Sequence, residues 1–136
     1  MCGISGIVAS RHVNPKAVRE MNALMHHRGP DGEGIWQSED GQVVLGHRRL
    51  AVIDPTPAGA QPMVSPRGDE VLTFNGEIYN YIELGDALKN TGSTLSSRSD
   101  SEVLLQGYAR YGEGVLQHLN GMFAFAIYDS VRGRLF

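Results

Sequence analysis

Apolar residues occur in this chain as short runs, the longest being Met122 to Tyr128, bounded by Asn120-Gly121 and Asp129-Ser130. A membrane-spanning helix needs about 20 apolar residues, so this run reads as a fully buried β-strand. The remaining runs are shorter. Cys2 to Ala9 reads as a strand whose glycines permit close backbone approach. Val43 to Leu45 and Leu50 to Ile53 read as short strands flanking Gly46-His47-Arg48-Arg49. A proline-rich connection from Asp54 to Pro66 then leads into a strand from Glu70 to Phe74.

Helical spacing and helix-end signals lie between these strands. Asn14-Pro15 predicts an N-cap with proline at the first helical position, followed by Ala17, Met21, Leu24 and Met25 on a face that should lie on a sheet. Asn80 with Glu83 three residues on matches a capping box, Tyr81, Leu84 and Leu88 share a face, and Gly92 gives the stop. Ser99-Asp100 predicts the cap of a further helix, in which Leu104, Tyr108 and Tyr111 align before Gly112. His26 to Gly34, with one proline and three glycines, reads as a loop. Asn75-Gly76 is an ordinary hairpin signal, yet the residues after it have helical spacing. Arg134-Leu135-Phe136 begins a return strand.

Strands that follow one another through short turns, with helices interleaved, favour antiparallel or mixed pairing over a regular βαβ alternation, so the expected class is layered α+β. A length of 136 residues suits one domain, and its end within an apolar strand implies an incomplete one with an unpaired edge beside Met122 to Tyr128.

The formal net charge of -3 is built from interspersed signs with no Lys/Arg block, which argues against nucleic acid as a partner. The single cysteine excludes an internal disulfide, and Met1-Cys2-Gly3 lacks the basic and apolar regions of a secretory signal, so a reducing, cytoplasmic setting is expected. If Met1 is trimmed, Cys2 carries both a thiol and a free α-amine. An amine of ordinary pKa about 7.7–8.0 can act as the base for that thiol, as an N-terminal nucleophile hydrolase requires. Otherwise Cys2 is simply a small apolar residue at the start of a strand.

Seven segments in order carry a family resemblance: Met1-Cys2-Gly3-Ile4, His27-Arg28-Gly29-Pro30-Asp31, Gly46-His47-Arg48-Arg49-Leu50, Gly59-Ala60-Gln61-Pro62-Met63, Phe74-Asn75-Gly76-Glu77-Ile78-Tyr79-Asn80, Ser99-Asp100-Ser101-Glu102-Val103 and Leu119-Asn120-Gly121-Met122-Phe123-Ala124. The chain resembles, over essentially its whole length, the glutaminase domain of glutamine-hydrolysing asparagine synthetases, within the class II glutamine amidotransferases. That resemblance implies an αββα sandwich of mostly antiparallel sheets flanked by helices, here cut short at its C-terminal end. It implies hydrolysis of L-glutamine to glutamate and ammonia, with the ammonia passed to a C-terminal synthetase domain absent from residues 1–136. Cys2 matches the nucleophile, and Asn75 and Gly76 match the oxyanion hole. Arg49 matches the residue for the substrate α-carboxylate, and Asp100, with Glu77 beside the oxyanion pair, the residues for its α-ammonium. Leu50, Val52 and Ile53 match backbone positions lining the pocket. No cofactor or metal is implied in this domain, ATP and Mg²⁺ belonging to the missing synthetase half.

Either Arg48 or Arg49 could face a ligand on sequence alone, and alignment on Leu50 selects Arg49. Asp100 can also serve as the cap of its helix. His26-His27-Arg28 has no third ligand at a metal-like interval, and an Arg28–Asp31 pair that stabilises the loop is the expected role. His12, His47 and His118 receive no role. Gly32-Glu33-Gly34 lacks the ending of a phosphate loop. Arg98, before Ser99-Asp100, stands where the family often has glycine, and Arg48 where it can have an acidic residue. Three other readings stay open: a non-catalytic fragment, a class II amidotransferase serving another acceptor, and hydrolysis of a different amide by the same nucleophile.

Overall fold

The computed structural model describes residues 2–136. In chain order the elements are β1 (Gly3–Val8), α1 (Pro15–Leu24), β2 (Gly32–Gln37), β3 (Val43–Arg49), β4 (Met63–Val64), β5 (Glu70–Ile78), α2 (Tyr81–Asn90), α3 (Asp100–Tyr111), β6 (Gly121–Asp129) and β7 (Arg134–Leu135). The strands form two antiparallel sheets, one ordered β1-β3-β2 and the other β4-β5-β6-β7. Helix α1 covers the outer face of the first sheet, and α3, with α2 against it, covers the second. The layering is therefore αββα, as the resemblance implied.

Three apolar clusters hold the layers together. Leu72, Phe74, Ile78 and Ile127 of the four-stranded sheet meet Leu104, Leu105 and Tyr108 of α3. Val13, Val18 and Val44 join α1 to the three-stranded sheet. Val43, Leu45 and Val71 lie between the sheets, flanked by Trp36 and Tyr128, whose ring centroids are 5.6 Å apart. Full burial of a side chain of this size is worth roughly 1.5–3 kcal/mol against exposure. Polar ties cross the same gap, with Thr73 Oγ1 donating to Gly46 C=O (3.0 Å) and His47 Nε2 to Phe74 C=O (3.0 Å).

Several expectations are corrected. The segment read as a loop up to Gly34 contains the start of β2, since Gly32 and Gly34 lie in strand register with Arg49 and His47. A Cβ at Gly34 would collide with the Gln61 carbonyl, so the glycine marks a close approach rather than a turn. Val43 to Arg49 is one strand, whereas Leu50 to Ile53 is irregular. Strand β5 runs through Asn75-Gly76 to Ile78 because β6 pairs with it along its whole length. The buried face of α1 carries Val18 and Asn22, while Leu24 is 81% exposed and Met21 is also exposed. Asn22 is buried because it accepts from Ser5 Oγ (2.8 Å) and donates to Gly34 and His47 carbonyls (3.2 and 3.3 Å).

Asn80 makes no capping bond, since its side chain instead accepts from Asn120 N (2.9 Å) and donates to His118 C=O (2.9 Å). Strand β6 is buried mainly on its α3 side, and Met122 is 65% exposed. The return strand forms as expected, with β7 pairing at Tyr128 and Asp129 and Phe136 continuing the ladder to Ile127. Arg28 and Asp31 do not pair with each other: Arg28 Nε donates to Cys2 C=O (2.9 Å), and Asp31 Oδ2 accepts from Ala51 N (2.9 Å). No helix is long and apolar enough to cross a membrane among the described residues.

Candidate active site

Cys2 precedes β1 at one end of the sandwich and is half-buried and free. Its sulfur is held against Leu50, accepting from the backbone N–H (3.3 Å) and donating to the carbonyl (3.6 Å). The Arg28 bond to Cys2 C=O fixes the same residue from the other side. Removal of Met1, on which the α-amine depends, concerns a residue outside those described.

A cavity of about 140 Å³ opens beside this thiol and brings together Cys2, Arg49, Leu50, Val52, Ile53, Gly76, Glu77 and Asp100. Strand alternation decides which arginine reaches it. Val43, Leu45, His47 and Arg49 share the face of β3 turned toward the second sheet. Arg48 points the opposite way, where it is buried, donates to Gly29 C=O (3.0 Å) and Glu33 Oε2 (3.1 Å), and contacts His26 Nδ1. The Arg49 guanidinium is oriented by the Thr56 (2.9 Å) and Asp54 carbonyls, and Gly59 packs so closely against it that a Cβ would have no room.

Two carboxylates, Asp100 and Glu77, also line the cavity. Asp100 is buried at the first turn of α3, and its Oδ2 accepts from Ile78 N (3.1 Å). The cap of that helix is Ser99, whose side chain accepts from Glu102 N (3.2 Å), so Asp100 is released from capping. Burial first, and then the charge of Glu77, push the Asp100 carboxyl above its ordinary pKa, while backbone hydrogen bonds pull the other way. A cationic group between Asp100 and Glu77 would relieve that strain on charge.

Gly76 lines the cavity, and a Cβ there would strike the Met122 carbonyl and the Phe123 backbone on β6. Asn75 is not among the lining residues. It shares with Thr73 the face of β5 turned to the first sheet, and its Oδ1 is buried without a hydrogen-bond partner. Asp54, Gly59, Gln61, Phe74, Ser99 and Ser101 also line the cavity, and none received a site role from the sequence. Gln61 lies in the Gly59-Ala60-Gln61-Pro62-Met63 segment that carries the resemblance, but a glutamine before proline in an irregular stretch offers no periodic signal of what it meets. His47, likewise given no role, is wholly buried between the sheets. Arg98 lies outside the cavity, its backbone N–H donating to Asp54 Oδ2 (3.0 Å).

The arrangement can bind a zwitterion between Arg49 and the Asp100/Glu77 pair, with a thiol and a glycine N–H beside what extends from it. Residues 1–136 match the family described as a glutamine amidotransferase domain. The chain is 41% identical to a putative glutamine-hydrolysing asparagine synthetase of Mycobacterium bovis, an alignment covering 100% of this chain and 23% of that protein. It is also 41% identical to asparagine synthetase B of Escherichia coli, over 96% of this chain and 23% of the relative. The chain thus spans under a quarter of the length of these curated relatives. The solved structure of a glutamine phosphoribosylpyrophosphate amidotransferase from Bacillus subtilis superposes with a TM-score of 0.82 at 25% identity, over 95% of this chain and 35% of that one.

Proposed function

The chain belongs to the glutamine amidotransferase domain family, and from that premise we propose that it hydrolyses L-glutamine to glutamate and ammonia with Cys2 as nucleophile. The observation that carries this reading is the cavity in which the Cys2 thiol, Arg49, the Asp100/Glu77 pair and Gly76 converge. Arg49 takes the substrate α-carboxylate, and Asp100 and Glu77 take its α-ammonium, which leaves the side-chain amide directed at the sulfur.

With Met1 removed, the α-amine of Cys2 accepts the thiol proton and the sulfur attacks the amide carbon. Gly76 N–H and the Asn75 amide donate to the oxygen as it becomes anionic. Collapse of the intermediate breaks the C–N bond, and the ammonium form of the amine returns its proton to the leaving nitrogen, releasing ammonia. Water then attacks the thioester, with the amine again taking a proton, and glutamate leaves with the thiol restored.

Ammonia would pass to a synthetase domain that makes asparagine, in keeping with relatives several times longer than this chain. ATP and Mg²⁺ would be held in that domain. Gly32-Glu33-Gly34 here is paired as strand rather than arranged as a phosphate cradle. A free-thiol nucleophile suits the reducing cytoplasm, the setting proposed.

The deciding experiment measures ammonia release from glutamine by the full-length gene product, with intact mass to confirm loss of Met1. Wild-type protein should release ammonia and Cys2→Ala none. Activity persisting in Cys2→Ala would end the nucleophile assignment.

A further inference from the structure

The hydrogen bonds along β5 show how Gly76 comes to face the cavity. In an antiparallel strand, successive residues turn their N–H and C=O groups to opposite edges. Tyr79 N bonds Asn120 C=O (2.7 Å), so odd-numbered residues turn toward β6 and even-numbered ones toward the other edge. On that edge β4 is short and pairs only at Val71 and Leu72. Beyond it, side chains replace a strand: Phe74 N donates to Gln61 Oε1 (2.6 Å), and Ile78 N to Asp100 Oδ2 (3.1 Å). Gly76 N–H lies between these two pinned donors.

Phe74 is held a second time. Its carbonyl accepts from His47 Nε2 (3.0 Å), which requires the tautomer with hydrogen on that nitrogen. His47 Nδ1 is buried with no partner. A buried imidazole with one orphaned nitrogen is a poor way to fill space between two sheets, and leucine would fill it without that cost. What the ring adds is the bond to Phe74. Gln61 is equally committed, since its Nε2 donates to Ser101 Oγ (3.0 Å) on α3, so neither end of its amide is free for a substrate.

We propose that Gln61 and His47 are positioning residues for glutamine hydrolysis, holding Phe74 by its N–H and its C=O and so fixing the strand edge from which Gly76 N–H meets the oxyanion. The inference rests on the glutamine-hydrolysing reading above. Loss of the grip would let β5 shift around Phe74 at its unpaired edge, which weakens transition-state binding more than ground-state binding, because Asp100 still pins Ile78 beside Glu77 and Arg49 stays held by the Thr56 and Asp54 carbonyls.

The test uses full-length, Met-free protein carrying Gln61→Leu, His47→Leu or His47→Gln, the last keeping an amide N–H near the position of Nε2. Two readouts are needed: kcat and KM for glutamine, and inhibition by the γ-aldehyde analogue of glutamine, whose thiohemiacetal places an oxyanion in the hole. Gln61→Leu and His47→Leu should each lower kcat by about tenfold or more and weaken the aldehyde by a similar factor, with KM within about threefold. His47→Gln should recover most of both.

A raised KM with kcat and aldehyde affinity retained would overturn the proposal, as would equal loss in His47→Gln and His47→Leu. If Gln61→Leu does not fold, the His47 pair alone decides. Failure of wild-type protein to hydrolyse glutamine, or activity in Cys2→Ala, would instead overturn the glutamine reading and the purpose of the grip with it.

Discussion

At the residue scale, Asp100 combines burial with a neighbouring negative charge, and both raise its pKa above the ordinary carboxylate value. A raised pKa means that the carboxylate takes up a proton sooner than an exposed aspartate as pH falls. Neutral Asp100 no longer complements an ammonium. KM for glutamine should therefore climb on the acid side, and Asp100→Asn should hold KM high at every pH, by about ten- to a hundredfold, the scale of hydrogen bonds to charged groups. Steady-state kinetics across pH check this, and an unchanged KM in Asp100→Asn would remove Asp100 from the ammonium site. Gly76 carries a different kind of constraint, because a Cβ there meets the β6 backbone. If Gly76 N–H is the oxyanion donor proposed for it, Gly76→Ala should displace that donor and lower kcat about 10²–10³-fold, together with a lower melting temperature. Unaltered kcat would show that the Gly76 N–H does not contact the reacting oxygen.

At the scale of elements, the start of α3 sets where Asp100 lies. Ser99 Oγ accepts from Glu102 N, and the Glu102 carboxylate gathers the N–H and hydroxyl groups of Ser96 and Ser97 at 2.6–2.8 Å. Ser99→Ala should cost about 1 kcal/mol in urea unfolding, the usual worth of such a cap, and Tm should fall with it. No loss on unfolding would mean that Glu102 alone secures this end. The helix ends were legible in the sequence because they depend on local chemistry, as Asn14 and Ser99 show. The face of α1 was not, since Asn22 is buried by partners on three distant segments that no helical period announces. Strand β2 hid for a related reason: Gly34 serves contact with Gln61 but reads locally as a breaker. The residues around the cavity followed the same division. Cys2, Arg49, Gly76 and Asp100 match positions to which the resemblance gives a role, while Gln61 and His47 lie in the same recognisable segments without one, because their bonds to the Phe74 backbone are not displayed by a sequence.

At the scale of the whole molecule, His47 sits where the two sheets meet, and its protonation state bears on whether they stay together. Burial, chiefly, and the charge of Arg49 hold its pKa down to about 4, although the bond to Phe74 acts in the opposite direction. The unfolded chain would protonate this ring near its ordinary value of 6.5, whereas the folded one would not. As pH falls from 6.5 toward 4 the unfolded state therefore binds more protons, and stability that is full above 6.5 declines by up to about 3 kcal/mol. Asp54, Asp129 and Glu102, whose pKa values are lowered, lose their stabilising effect only further into acid, below their ordinary values. The raised Asp100 contributes with the opposite sign, gaining its proton first in the folded state. The remaining histidines, His12, His26, His27 and His118, are exposed. Urea unfolding at stepped pH should thus show a slope between pH 6.5 and the carboxylate range that His47→Leu flattens, even where that variant is no less stable at neutral pH. Identical slopes in the two proteins would mean that the gap between the sheets admits enough water to solvate the ring.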